Sequence, residues 1–95
     1  MTMFNPPPPG EIIAETLDDL NIGIRKFSRA LHVAPSTAQR LVSGHSAVSP
    51  EMALKLSAAL GSSAKFWLNL QDNYSLWVAQ KKVDISQLRR LVATA

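Results

Sequence analysis

FSRALHVAPSTAQRLVSG, residues 27–44, holds two apolar patterns of helical period separated by a short break. Phe27 and Leu31 stand one helical turn apart and form the core pair of a helix expected from Ile24 to Leu31. His32-Val33-Ala34 reads as a connecting turn. A second helix is expected from Pro35, because proline suits the first helical position, where its missing N–H would have had no partner. Ala38, Leu41 and Val42 recur there at i, i+3 and i+4 and form one apolar stripe. Gly44 can take the left-handed conformation that closes a helix near Ser43. Every other position after the proline (Ser36, Thr37, Gln39, Arg40 and Ser43) carries a hydrogen-bonding side chain, and none is acidic.

The flanking segments are helical as well. FNPPPPG, residues 4–10, has four prolines and reads as an extended lead-in of polyproline II type, so residues 1–9 are expected as an arm. A first helix follows over about residues 10–20, with Ile13, Leu17 and Leu20 on its core face and Glu11 in its first turn. Asn21-Ile22-Gly23 interrupts it, and Gly23 is a tolerable cap for the next helix. Ser49-Pro50-Glu51 combines a capping serine, a first-position proline and an acid at the positive end of the dipole. The helix it starts should bury Ala53, Leu56 and Leu60 before Gly61. Ser63 can cap a long fifth helix over residues 64–81, with Trp67, Leu70, Tyr74 and Trp77 on a single stripe. In the tail, residues 83–95, Ile85, Leu88, Leu91 and Val92 are spaced for a short final helix. No segment alternates with period two. The expectation is one small all-α domain of five helices over residues 10–82.

Composition narrows the function. The 95 residues contain no cysteine, which excludes disulfides and thiolate-held zinc and suits a reducing, cytoplasmic setting. No run is long and apolar enough for a bilayer, and the N-terminus lacks a signal pattern, so no membrane association is expected. The net charge of +3 is unevenly spread. Glu11, Glu15, Asp18 and Asp19 make residues 1–20 acidic, whereas residues 21–65 carry Arg25, Lys26, Arg29, Arg40, Lys55 and Lys65 against Glu51 alone. A basic middle of this kind fits a polyanion, although a solvated charged surface has the same composition. His32 and His45 fall in loops without an acid cluster to complete a metal site, and no serine has a base at recognisable spacing. With no phosphate-cradling glycine loop either, neither catalysis, nor a metal, nor a cofactor is expected.

Two short helices joined by a three-residue turn form a helix-turn-helix, whose second helix can enter the DNA major groove while the first crosses the backbone. The residues suit that task. Gln39 can pair with adenine, Arg40 with guanine, and Ser36, Thr37 and Ser43 with several base edges. Arg25, Lys26 and Arg29 on the preceding helix would meet phosphates, which hold the duplex without reading it. A module that binds only protein fits less well, because the exposed face of the second helix has no acid.

NPPPPGEII, FSRALHVAPSTAQRLVSG, SPEMALKLSAALGSS and FWLNLQ (residues 66–71) together resemble the HigA-type antitoxins, small proteins of the phage-repressor-like helix-turn-helix class. The likeness runs over about residues 5–80. The third block marks only the broad class; the early P-G-E-I and FWLNLQ are more specific. The resemblance implies a five-helix phage-repressor-like fold, a homodimer, a palindromic operator in the protein's own promoter, and a neighbouring toxin that is a ribonuclease. It places the base-contacting positions at Pro35, Ser36, Thr37, Gln39, Arg40 and Ser43. Within this resemblance Gly23 stands where relatives usually have a Ser or Thr cap, which weakens one phosphate contact, and Ala34 stands where they often have Ser, which leaves Pro35 to start the second helix.

Two further surfaces are expected from the residues. A basic ribonuclease would favour an acidic face, and Glu11, Glu15, Asp18 and Asp19 supply one away from the helix-turn-helix. A chain of this size has little room to bury both tryptophans. Trp67, Tyr74 and Trp77, with Ile85, Leu88 and Leu91 of the tail, are therefore the candidates for a dimer surface. A solitary regulator without a toxin fits the same residues, and a small basic protein in the adjoining reading frame would separate the two readings.

Overall fold

A computed structural model describes residues 5–92; the first four residues of the arm and the last three of the tail lie outside the described residues. Five helices follow in order: α1, Pro9–Leu20; α2, Ile24–Leu31; α3, Pro35–Val42; α4, Pro50–Leu60; and α5, Ala64–Lys82. Among the described residues there is no strand. Ile13, Leu17, Phe27, Leu31, Ala38, Leu41, Val48, Ala53, Leu56 and Trp67 form the buried core, to which every helix contributes. Each fully buried Ile, Leu or Phe among them contributes about 1.5–3 kcal/mol relative to an exposed one. α2 packs on α3 and α4, α1 lies across α3 and α5, and α4 runs against α5.

The helix ends explain the tight connections. α1 and α2 close in the same way. Asn21 and His32 each take φ 57°, and the next residue, Ile22 or Val33, donates its N–H back to Leu17 or Ser28. Asparagine and histidine are among the few side chains that tolerate this left-handed conformation. The closure turns the half-buried Ile22 and Val33 onto the core. At the other ends, the Ser49 and Ser63 hydroxyls accept from Met52 N and Phe66 N at 3.1 and 3.0 Å, capping α4 and α5. Gly23 and Ala34 precede α2 and α3 with no side-chain cap.

Four expectations are corrected. Pro9 belongs to α1 rather than to the arm and is buried, as is Gly10 after it; proline at the first position costs the helix no bond. Leu20 is 53% exposed. The left-handed closure after it brings Ile22 over that end of the core instead. Trp67 is 3% exposed and is a core residue, so it offers no surface to a second copy. Finally, residues 83–92 are not helical. Val83 is extended, and the Ser86 backbone N–H and hydroxyl both donate to Asp84 Oδ1, at 3.0 and 2.7 Å. These two bonds, the hydroxyl's foremost, hold the Asp84 carboxyl below its ordinary range. So short a segment, with its apolar residues packed on nothing, cannot offset the cost of starting a helix.

Candidate nucleic-acid interface

Buried residues at one edge of α3 determine what the other edge presents. Ala38 is fully buried and Leu41 nearly so, and the small alanine lets α2 and α3 approach closely. Ser28 of α2 is also buried; its hydroxyl donates to the Arg25 carbonyl at 2.8 Å, so the crossing holds no unsatisfied polar group. With this stripe anchored, Pro35, Ser36, Thr37, Gln39, Arg40 and Ser43 are all exposed. They run from the first residue of α3 to its C-cap, Ser43, on the face the sequence predicts.

Arg25, Lys26 and Arg29 of α2 are exposed as well. Among the described residues the one ion pair joins Lys55 to Glu51 at 3.8 Å on α4, so the α2 and α3 cations are not neutralised by neighbouring acids. Their charge is available to an external anion.

The loop after α3 is built by residues that sequence reasoning did not single out. The Val48 side chain is buried, and its N–H donates to Gln71 Oε1 of α5 at 2.8 Å. Gln71 Nε2 in turn donates to Ser75 Oγ at 2.8 Å, which fixes the amide's orientation. Gln71 is thus the strut that ties the α3–α4 loop to α5. FWLNLQ contains it, but helical spacing alone gave no sign of what it holds. Trp67, from the same stretch, donates from Nε1 to the Gly61 carbonyl at 3.1 Å and meets Phe66 edge to face, with ring centroids 5.1 Å apart.

The acidic residues Glu11, Glu15, Asp18 and Asp19 are all exposed on α1, a different element from α2 and α3. Of the apolar candidates for a dimer surface, Tyr74 and Trp77 are half-buried, with ring centroids 6.2 Å apart, and Lys81 Nζ lies 3.7 Å above the Trp77 ring. Ile85, Leu88 and Leu91 are exposed, as are Leu76 and Val83, which the sequence reading did not include. The described chain measures 52 × 22 × 20 Å, an elongation in keeping with a long α5 continued by an unpacked tail. Among the described residues no helix is long and apolar enough to cross a membrane.

A helix-turn-helix family model matches residues 13–67, which span all of α2, α3 and α4. The chain is 58% identical over 92 residues to the uncharacterized HTH-type transcriptional regulator YddM of Escherichia coli, covering 97% of this chain and 98% of that one. Among solved structures it is similar to the Pseudomonas aeruginosa antitoxin HigA with the higBA promoter (TM-score 0.81, 34% identity, 92% and 99% of the two chains). It is also similar to PA4674 of Pseudomonas aeruginosa in complex with its 18-bp operator DNA (TM-score 0.85, 32% identity, 95% and 100%). These likenesses span the helix-turn-helix and α5 together, and the chain belongs to the phage-repressor-like helix-turn-helix regulators, in the family that includes the HigA-type antitoxins.

Proposed function

We propose that this protein is the antitoxin of a toxin–antitoxin pair and that, as a cytoplasmic homodimer, it represses its own operon through a palindromic operator. The observation that carries the DNA half is the face of α3: six exposed residues without an acid, beside three exposed cations of α2. In this reading Gln39, Arg40 and their neighbours Pro35, Ser36, Thr37 and Ser43 meet base edges. Arg25, Lys26 and Arg29 grip phosphates on either side. That two similar structures were solved with promoter or operator DNA supports the same reading.

One α3 contacts few bases, so specificity over a genome calls for two half-sites about 34–36 Å apart, or a multiple, and a two-fold dimer to span them. The second copy docks on the exposed apolar residues of the C-terminal half of α5 and the tail: Leu76, Val83, Ile85, Leu88 and Leu91, with the free edges of Tyr74 and Trp77.

The toxin is a small basic ribonuclease, and it docks on the acidic face of α1. Glu11, Glu15, Asp18 and Asp19 lie off the basic helix pair, so DNA and toxin can be held together. Co-purification with the product of the adjoining reading frame tests this. Wild type should retain that product at moderate salt, and a Glu15→Lys, Asp19→Lys variant should lose it. Undiminished capture by the variant contradicts the acidic-face assignment. If wild type captures nothing, the protein is a solitary regulator, a second reading favoured by its similarity to a chain named only as a transcriptional regulator.

A further inference from the structure

The segment after α5 is not helical, but it carries the start of a helix. Asp84 Oδ1 accepts from the Ser86 N–H at 3.0 Å, the bond that a capping residue makes to the second helical position. Gln87 stands three residues after Asp84, where a capping pair has its second member. The Leu88 N–H already donates to the Ile85 carbonyl at 3.1 Å and closes one turn. Arg89 and Arg90 fall where the negative end of the dipole would be. Ile85, Leu88, Leu91 and Val92 would share one face of that helix, and all four are at least 66% exposed. What is missing is a surface to cover the stripe, and a helix this short needs one.

The pattern of the tail selects a second copy of itself. Ile85 and Leu91 stand at equal steps either side of Leu88, with an acid, Asp84, at the start of the segment and two bases at its end. Run antiparallel, such a segment is complementary to itself. About a two-fold axis at Leu88, Ile85 of one copy meets Leu91 of the other, and each Asp84 meets the end that carries Arg89 and Arg90. Both bonds from Ser86 fall on Oδ1, which leaves Oδ2 for that contact. The two helix dipoles also run in opposite directions. A basic partner fits less well, because Lys81, Lys82, Arg89 and Arg90 face Asp84 alone over residues 81–92. Ile85 borders both the groove of the tail and the groove that Leu76 and Val83 line at the end of α5, so the apolar surface is continuous between them.

We infer that residues 85–92 fold into a sixth helix, α6, when two copies meet, and that the two α6 helices pair antiparallel across Leu88. The inference rests on the dimer proposed above for this surface and adds how it is built. Folding and association are then one step, in which burial of the stripe offsets the cost of ordering the tail. Leu76 and Val83 flank the pair and widen the interface beyond two short helices. Arg90 lies on the side of α6 turned away from the partner.

Sedimentation equilibrium and far-ultraviolet circular dichroism on a dilution series of the full chain test this. Helical signal from residues 85–92 should disappear as the dimer dissociates. Arg90→Pro breaks α6 without touching its stripe and should raise the dissociation constant at least about tenfold. Arg90→Ala keeps the helix and should raise it no more than about fivefold. The chain has no cysteine of its own, so Leu88→Cys should cross-link two copies under mild oxidation, and Arg90→Cys should not. A dimer whose helicity is unchanged by dissociation overturns the paired helix while leaving a dimer on this surface in place. So does an Arg90→Pro variant that dimerises like wild type, or cross-linking through position 90 as fast as through position 88. A wild type that is monomeric throughout the series overturns both.

Discussion

Gly10, in the first turn of α1, rests directly on the backbone of Val42, the last residue of α3. A β-carbon on Gly10 would overlap the Val42 carbonyl oxygen and stand 2.9 Å from that of Leu41. The approach brings the positive end of the α1 dipole against the negative end of α3, so contact and electrostatics agree. It also sets the height at which α3 stands on the domain.

Gly10→Ala should therefore destabilise the fold by about 1–3 kcal/mol, since backbone must move to admit the methyl group. DNA affinity should fall further than stability does, because the displaced element is α3. Gly23→Ser is the matched control: nothing lies within 4 Å of a β-carbon there, and the hydroxyl can cap α2. It should gain a few tenths of a kcal/mol. Thermal melts of the two variants check both signs, and a Gly10→Ala melt equal to wild type would contradict the contact.

Gln71 offers a second test. Gln71→Leu strands the Val48 N–H beside a buried side chain and should cost about 1–3 kcal/mol. Gln71→Glu keeps an oxygen acceptor at that position and should retain more stability than the leucine variant near neutral pH. Chemical denaturation of the pair decides it; equal losses would mean that the bond to Val48 is not what matters.

The helices were legible because their signals are local. Ser49 and Ser63 carry capping oxygens, Pro35 and Pro50 mark first turns, and Phe27, Leu31, Ala38 and Leu41 keep the helical period, so α2 to α5 fall where the sequence places them. The exposed face of α3 was legible for the same reason, being the complement of its apolar stripe. What escaped depends on chain segments far apart in sequence. The partner of Gly10 is Val42, and that of Gln71 is Val48, and neither pairing leaves a periodic trace. Trp67 looked as available to a second copy as Trp77, because one stripe holds both; only the packing of α4 against the start of α5 separates them. The tail misled in the opposite way. Its spacing is helical, but periodicity reports a helix only where something covers its apolar face, and Ile85, Leu88 and Leu91 are exposed.

That exposed surface leads to a prediction about assembly. The wild-type protein should be a dimer at tens of micromolar, and Ile85→Glu with Leu88→Glu should render it monomeric. Both side chains are more than two-thirds exposed within one chain, at 68% and 71%, so helicity and melting of the monomer should persist. Light scattering gives the answer: a wild type that is strictly monomeric on and off DNA contradicts the dimer, and an unchanged dimer in the variant moves the interface elsewhere.

In the proposed complex α3 reads sequence while α2 holds phosphate, and competition binding across operator variants separates the two roles. Gln39→Ala and Arg40→Ala should each cost about 1–3 kcal/mol and relax the preference at one base position per half-site. Arg25→Ala should weaken every duplex alike and lower the salt slope by about one per lost phosphate contact. Loss of affinity without loss of preference in Gln39→Ala and Arg40→Ala would contradict the account.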